Sequence, residues 1–463
     1  MRPFPCPPAA FFAAVFCLVF ALSPCGSGAE SSRPTDPLPS VWDLPAALQR
    51  AMQANPDIQA ARFEAEREEG VRLQVQARLL PRVSASASTD ERSSSLIDRS
   101  PYEFNLPPSN RSAVARWGYD LRVEVRQLVF DGLSSWNSAQ RQKLRQRQAV
   151  LNLMNVANQT VGAVRQAYDA VLVRRAQLAA ERQRVTDLMQ LTDWAARKQA
   201  LGAIAEYELL TVQAQLEQAR AELADIERDH IFAEQEFRRL LLLPGDAGPL
   251  GLTGKFEPRV FELAYSVALG LAFQHRPDLE SATLAVAAGK RQERAIIGGY
   301  LPRFDVFASF AERTSYYNSA RTLDGWTIGA MGSWNLFDAG ESRGRRLAAR
   351  AERRQAETRL TQVEHNIGSR LREQYQGLDQ ARAAVVAQDA ARQLAARAHH
   401  QAQRLYTNGQ VSLESVLQSQ LTARQADNRY LDVVYRFNVL VAQIEFAIGG
   451  VAAEPPAAAP WKP

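Results

Sequence analysis

The side chains that most often bind metals or act as nucleophiles are few in this sequence and lie far apart. The histidines do not occur at the spacings that metal sites use, and the one adjacent pair points to different faces of a helix; they are His230, His275, His365, His399 and His400. No phosphate-binding loop, nucleophile elbow or paired-cysteine site occurs in the sequence. We therefore predict that the protein is not an enzyme and that it holds no metal and no cofactor.

The cysteines all fall within the first residues of the chain, at Cys6, Cys17 and Cys25. This part has the composition of an export signal, because Ala9–Leu22 is almost purely apolar but too short to span a bilayer comfortably. Small side chains just before Glu30 predict cleavage there, which makes residues 1–29 a signal peptide. The alternative is a lipoprotein signal that would acylate Cys25, although the proline before that cysteine fits such a signal poorly.

The bulk composition narrows the choice of partners. The chain has 55 basic and 50 acidic residues and a formal charge of +5, but the two signs are interleaved as on a solvated helix surface, so we predict no binding to nucleic acid. After the leader no run of 18 apolar residues occurs, which predicts no transmembrane helix. An exported chain of this kind is periplasmic, secreted, or inserted in the outer membrane as strands.

The sequence contains an internal duplication. Four motifs recur in the same order about 200 residues later, two after 221 positions and two after 207; they are Asn55-Pro56-Asp57 with Arg276-Pro277-Asp278, Leu80-Pro81-Arg82 with Leu301-Pro302-Arg303, Phe130-Asp131 with Phe337-Asp338, and Gly202 with Gly409. The first copy carries 14 extra residues around Ser93–Asn110. We predict a first structural repeat at 43–245 and a second at 261–450, each made of a helix, a β-hairpin, a long helix and a return helix. A flexible C-terminal tail would follow at 451–463.

Each repeat contains one stretch that predicts a very long helix. Good helix formers dominate from about Ser134 to Gln199 and from about Ser342 to Thr407, and a helix of about 65 residues is about 100 Å long. Apolar residues recur at a strict spacing of seven, at Val150, Ala157, Val164, Val171, Leu178 and Val185, and again at Leu371, Leu378 and Val385. This spacing predicts helices that supercoil against neighbours. Arg175 and Arg182 interrupt the partner row, which disfavours a simple two-stranded coiled coil.

Each long helix is preceded by two segments in which polar and apolar residues alternate. They include 83–88 and 121–126 in the first copy, and 304–310 and 326–336 in the second. Alternation with aromatic residues near the ends is typical of transmembrane β-barrel strands, although a half-exposed hairpin of a soluble protein shows the same period. Four strands cannot close a barrel, whereas three chains contributing twelve can.

The repeated motifs resemble those of the outer-membrane efflux proteins, the TolC-like ducts. The resemblance covers about residues 43–450 and includes Leu-Phe-Asp-Ala-Gly at 336–340 and, within 406–420, Tyr-x-x-Gly followed by Val-Leu-Gln-Ser-Gln. It implies a mainly α chain with a transmembrane β-barrel, assembled as a homotrimer in which a 12-stranded barrel stands on a long α-helical periplasmic tunnel. It implies contact with outer-membrane lipid, a location in the cell outer membrane extending into the periplasm, and an extracellular position for the longer loop of the first copy.

The same resemblance implies a gate at the two helix reversals, marked by Gly202 and Gly409. A tyrosine three residues before the second glycine is Tyr406, and a carboxylate six residues after the first is Glu208, so that the two could form a hydrogen-bonded latch. Packing of Tyr406 in a helix seam is an equally good interpretation.

Other gate positions of the family differ in this chain. The best-understood member of the family has an arginine two residues after the second glycine and aspartates six and nine residues after it. The equivalent residues here are Val411, Ser415 and Gln418. A carboxylate ring at the entrance would therefore depend on Glu414, which lies one position away from the family's site.

By resemblance, the protein is a passive outer-membrane channel of a tripartite export system. It would take substrates from an inner-membrane transporter through a periplasmic adaptor. The poor lipidation signal favours type I protein secretion slightly over drug efflux, because many relatives devoted to efflux are acylated. The alternative from another class is a structural periplasmic coiled coil or adhesin-like protein, which accounts for the heptads but not for the repeated amphipathic strands.

Overall fold

A computed structural model describes residues 41–91, 117–244, 250–314 and 322–450. The chain divides into two units, Met1–Val41 and Trp42–Pro463, and the second unit contains every helix and every longer strand of these ranges. The predicted signal peptide, Cys25, the extra loop of the first copy and the tail at 451–463 lie outside the described residues. No helix in the described ranges is both long and apolar enough to cross a membrane.

The same order of elements occurs twice. In the first half a short strand β1 (Val41–Trp42) precedes α1 (Leu44–Ala54), α2 (Pro56–Gln76), a single 3₁₀ turn (Ala77–Leu79), β2 (Arg82–Glu91), β3 (Trp117–Phe130), α3 (Ser134–Ala200) and α4 (Glu206–Leu241). In the second half β4 (Gly251–Leu252) precedes α5 (Tyr265–His275), α6 (Pro277–Gly298), β5 (Arg303–Thr314), β6 (Thr322–Ser333), α7 (Glu341–Thr407) and α8 (Leu413–Ala447).

The two long helices are confirmed, and each has 67 residues. An aspartate from the repeated Phe-Asp motif lies two residues before the N-cap of each one: Asp131 accepts a hydrogen bond from the backbone N–H of Ser135, and Asp338 accepts one from that of Ser342, both at 2.9 Å. These carboxylates satisfy backbone donors of the first helical turn and complement its partial positive charge. The motif therefore sets where each long helix begins.

The predicted helical segments before the strands each prove to be two helices. Proline removes a backbone donor and suits the first position of a helix, so α2 begins at Pro56 and α6 at Pro277. Asn55 caps α2, because its side-chain oxygen accepts a hydrogen bond from the N–H of Asp57 at 2.9 Å. At the equivalent place in the second half Arg276 instead pairs with Asp278 at 2.6 Å.

The four longer strands form one antiparallel sheet in the order β2-β3-β5-β6. Within the described residues this sheet is open and does not close into a barrel. β6 ends at Ser333, so Trp334 and Leu336 lie beyond it, contrary to the sequence prediction. The Trp334 side chain donates a hydrogen bond to the carbonyl of Tyr300 at 3.0 Å, which fixes the indole beside the turn that precedes β5.

The helices of the second unit pack side by side in the same order as the strands. α2 packs on α3, α3 on α6, and α6 on α7. The return helices α4 and α8 pack on α3 and α7, and α8 also packs on α3. The predicted heptad row lies in these joints, since Val164, Val171, Leu178, Leu371 and Leu378 are all buried. Val150 is exposed in the single chain.

One of the two arginines that interrupt the heptads, together with its counterpart in the second repeat, holds the segment between the two halves. Arg175 donates to the carbonyls of Leu252 and Gly254 at 2.8 and 3.1 Å. Arg382, which lies 207 positions later, donates to the carbonyl of Phe261 at 2.8 Å. At Arg175 and Arg382, α3 and α7 therefore present hydrogen-bond donors to the segment that connects the two halves, where a coiled coil would have apolar side chains.

Candidate functional site

The two helix reversals have the same backbone geometry. Gly202 and Gly409 both adopt left-handed conformations, with φ of +69° and +72°, which glycine reaches without the penalty of a Cβ. The N–H of Gly202 donates to the carbonyl of Gln199 at 2.8 Å, and that of Gly409 donates to the carbonyl of Tyr406 at 2.9 Å. These bonds close the last turns of α3 and α7 and turn the chain back into α4 and α8.

Tyr406 lies in the joint between the two reversals. Its ring packs edge-on against Trp194 of α3, with 5.4 Å between the ring centres and 63° between the planes. It also borders a buried cluster that joins α3 and α4 to the start of α8, formed by Leu188, Val212, Leu216, Ala219, Leu413 and Leu417. The second half's reversal is thus held against the first half by an aromatic contact. Trp194 was not identified from the sequence, since a single tryptophan in a long helix carries no positional signal.

Glu208 lies close enough to influence Tyr406. Burial raises the pKa of the Tyr406 hydroxyl, and the negative charge of Glu208 raises it further. Within the described part of the chain no hydrogen bond joins the two side chains, so the latch stays a prediction beside the observed packing. Glu208 is half-buried in the first turn of α4, and Tyr207 beside it is 69% exposed.

Glu414 is exposed in the first turn of α8, just after the second reversal. It borders a shallow groove between α7 and α8 together with Ser415, Gln418 and Ala398. Among the residues that line this groove Glu414 is the sole carboxylate. An acidic entrance ring formed by Glu414 stays a prediction.

A buried ionic cluster lies further from the reversals and was not predicted. Glu181 of α3 is 1% exposed and accepts a hydrogen bond from Nε of Arg424 of α8 at 2.8 Å. Its other oxygen accepts one from Arg184 at 2.9 Å, and Arg184 also pairs with Glu222 of α4 at 2.5 Å. The four side chains join three helices across a sequence separation of 243 residues. Heptad patterning could not reveal a charge pair this distant.

His399 adds a titrating group to the joint of α7 and α8, where its Nδ1 lies 3.1 Å from the hydroxyl of Ser419. Burial lowers the pKa of His399 and the neighbouring His400 lowers it further, while Asp187 opposes the shift. No group of histidine, cysteine or acidic side chains in the described ranges is arranged to hold a metal ion.

We expect the packing of α7 on α8 to become less stable in acid because of His399. A histidine whose folded pKa is lowered favours its neutral form, so its contribution is present above the unfolded pKa of about 6.5 and is lost as the pH falls through the lower folded value. Thermal unfolding should therefore be measured at pH values between about 8 and 5 for the wild type and for His399→Asn. The wild type should lose more stability than the variant over this range. An equal loss in both proteins would show that other groups cause the acid sensitivity.

The comparisons with known proteins agree with this geometry. The sequence model of the outer membrane efflux protein family matches residues 47–241 and 268–450, whereas a sequence comparison with curated proteins finds no match. Among solved structures, the chain is similar to the CmeC outer membrane channel of Campylobacter jejuni, at a TM-score of 0.77 and 16% identity over 88% of this chain and 85% of that one. It is similar to the outer membrane protein VceC of Vibrio cholerae, at a TM-score of 0.76 and 16% identity over 88% of this chain and 96% of that one. It also resembles the open state of the MtrE outer membrane channel of Neisseria gonorrhoeae, at a TM-score of 0.69 and 15% identity over 88% of this chain and 89% of that one.

The chain is mainly helical, repeats a hairpin followed by a long helix, and shares the fold of these outer membrane channels over 88% of its length. The chain belongs to the outer membrane efflux protein family. The family assignment made from the repeated motifs is therefore confirmed. It locates the protein in the outer membrane, extending into the periplasm.

Proposed function

We propose that the protein is the outer-membrane channel of a tripartite export system. It passes substrates from an inner-membrane transporter and a periplasmic adaptor to the outside. The observation that supports this most directly is the pairing of a four-stranded amphipathic sheet with two helices of 67 residues. Helices of that length extend about 100 Å, which suits a conduit that leads away from the membrane. A structural coiled-coil protein would have no use for the sheet.

The working unit in this proposal is a homotrimer. Among the described strands, β2 and β6 each pair on one side only, which leaves rows of backbone donors and acceptors that require partners in a membrane. Three copies joined edge to edge give twelve strands and a closed barrel. The sheet carries exposed apolar side chains suited to lipid, including Trp326 and Ile328, which are 75% and 72% exposed.

The gate in this proposal is the pair of reversals at Gly202 and Gly409. Tyr406 and Glu208 hold them together in the closed state, and Glu414 provides an acidic side chain near the entrance. We favour protein secretion over drug efflux as the exported class, because the proline before Cys25 argues against the acylation that is common among efflux-dedicated relatives.

Oligomeric state and conductance test this proposal. Detergent-extracted protein should migrate as a heat-sensitive trimer, should be trapped as a trimer by amine cross-linking, and should form conducting pores in planar bilayers. A monomer found in the soluble periplasmic fraction would contradict the channel function.

The substrate class requires its own experiment. A strain lacking the gene should be assayed both for secreted protein in the medium and for susceptibility to drugs, with the restored gene as control. Loss of a secreted protein without a change in drug susceptibility supports protein secretion. The opposite outcome assigns the channel to efflux.

A further inference from the structure

We infer that the inner wall of the proposed barrel carries a band of arginines that attracts anionic groups of the transported substrate. The inference rests on the proposed trimeric channel and adds the charge of the substrates that the channel favours. Successive residues of a strand point to opposite faces of the sheet, and paired residues of neighbouring strands share one face. The strand register therefore assigns each side chain of the sheet to one of two faces.

One face of the sheet is apolar. Two of its rows cross all four strands without a polar residue; they are Val83, Val125, Ala308 and Ile328, and Ala85, Val123, Phe310 and Trp326. In a transmembrane barrel the apolar face contacts lipid and the polar face lines the lumen. The opposite face of this sheet is therefore the inner wall of the proposed barrel.

Three exposed arginines on the opposite face form the arginine band, which consists of Arg82 of β2 and of Arg122 and Arg126 of β3. Arg126 lies directly opposite Arg82, and Arg122 lies opposite Ser86, further along β2. Like charges that face each other across two strands destabilise a sheet. Two opposed arginines are thus unfavourable for folding, and sites at which a local rule is broken in this way are typically functional.

The arginine band is only partly neutralised by the sheet itself. Glu124 is the one carboxylate in the rows of paired residues that contain or separate the three arginines, and it pairs with Arg126 at 2.6 Å. Within the described part of the chain the side chains of Arg82 and Arg122 take part in no hydrogen bond or ion pair. Three arginines against one glutamate leave a charge of +2 on each chain, which is +6 in the proposed trimer.

The chemistry of the arginine band suits oxygen anions. Guanidinium groups keep their charge at physiological pH and bind carboxylate and phosphate oxygens in a forked geometry. The hydroxyls of Ser84 and Ser86, which lie on the same face beside them, can donate to the same oxygens. Rings of arginine in a pore favour the passage of anions. The wall therefore favours a substrate rich in carboxylates, which in the proposed secretion route is an acidic polypeptide.

A reporter thiol, Ser86→Cys, measures the electrostatic potential at the arginine band, in a background with Cys25 replaced by serine. Full-length protein in liposomes is treated with an anionic sulfonatoethyl or a cationic trimethylammonioethyl methanethiosulfonate. The rate at which each reagent modifies the thiol is divided by its rate with free cysteine. Ala85→Cys, on the apolar face, is the control for the orientation of the sheet and should react slowly with both reagents.

The anionic reagent should modify Ser86→Cys about tenfold faster than the cationic reagent at low salt, after this normalisation. The preference should fall several-fold when Arg82→Gln and Arg122→Gln are added. It should persist with Arg228→Gln, which removes an exposed arginine from the surface of α4. It should also disappear at about 1 M salt, where the Debye length is about 3 Å.

Equal rates of the two reagents at Ser86→Cys would overturn the inference, and so would a preference that is unchanged without Arg82 and Arg122. Rapid reaction at Ala85→Cys in place of Ser86→Cys would also overturn it, because the arginines would then face away from the lumen. Native migration as a monomer would overturn the proposed channel itself, so the two failures are distinguishable.

Discussion

Replacing Arg424 with alanine is expected to lower the free energy of unfolding by about 3–5 kcal/mol, since it leaves a buried carboxylate without its principal partner. Glu181 is 1% exposed and is paired with Arg424 through a hydrogen bond of 2.8 Å. Arg184 remains beside Glu181 in the variant, so the effect should fall near the lower end of this range. Chemical denaturation of the detergent-extracted protein, followed by circular dichroism, measures the change.

Arg182→Ala is the matched control for this prediction. Arg182 is adjacent to Glu181 in sequence and pairs with Glu227 of α4 at 2.8 Å, but the two side chains are 61% and 42% exposed. Exposed ion pairs contribute only about 0–1 kcal/mol, so this change should be small. Equal effects of the two substitutions would mean that the buried pair is no more important than a surface pair. Combining Arg424→Leu with Glu181→Leu should recover part of the loss, because no carboxylate is then left unpaired at position 181.

The second large effect is expected at the proposed gate. Tyr406→Ala should raise single-channel conductance in planar bilayers and admit large antibiotics, because it removes the aromatic contact with Trp194 that holds the second reversal against α3. Edge-on aromatic pairs contribute about 0.5–1.5 kcal/mol beyond the area that they bury. In the proposed trimer, three such contacts would favour the closed state, although their energies need not add.

Tyr207→Ala provides the control, since this tyrosine is at the first reversal but is 69% exposed. It should leave conductance unchanged. Unchanged conductance in Tyr406→Ala would show that the closed state depends on other contacts, such as the buried cluster around Leu188 and Leu413.

Tyr406→Phe combined with Glu208→Gln separates packing from the predicted latch. Both changes preserve shape while removing the hydroxyl and the charge, and a hydrogen bond to a charged acceptor contributes roughly 1.5–3 kcal/mol. If the latch forms in the assembled trimer, the double variant should conduct more than the wild type. If conductance rises in Tyr406→Ala but not in the double variant, packing of the Tyr406 ring stabilises the closed state and the hydrogen-bonded latch does not.

Most local elements of this protein were predictable from its sequence, although the helix breaks at Pro56 and Pro277 and the end of β6 at Ser333 were not predicted. The long helices begin at repeated Phe-Asp motifs and end near Gly202 and Gly409 because capping and left-handed turns depend on a few neighbouring residues. The strands could be placed because alternation follows directly from the geometry of an extended chain. The duplication required only comparison of the chain with itself, and the family followed from the resemblance of the repeated motifs to those of known outer-membrane efflux proteins.

The tertiary structure decided which of these elements meet. The periodicity of α3 gives no information about which distant helix covers it, and so neither the Trp194–Tyr406 contact nor the Glu181–Arg424 pair could be derived from the sequence. Arg175 and Arg182 appeared as defects in an apolar seam, but one binds the segment between the halves and the other an acidic residue of α4. Contacts between residues far apart in sequence depend on how whole helices pack, and this packing is determined by surfaces assembled only in the folded chain.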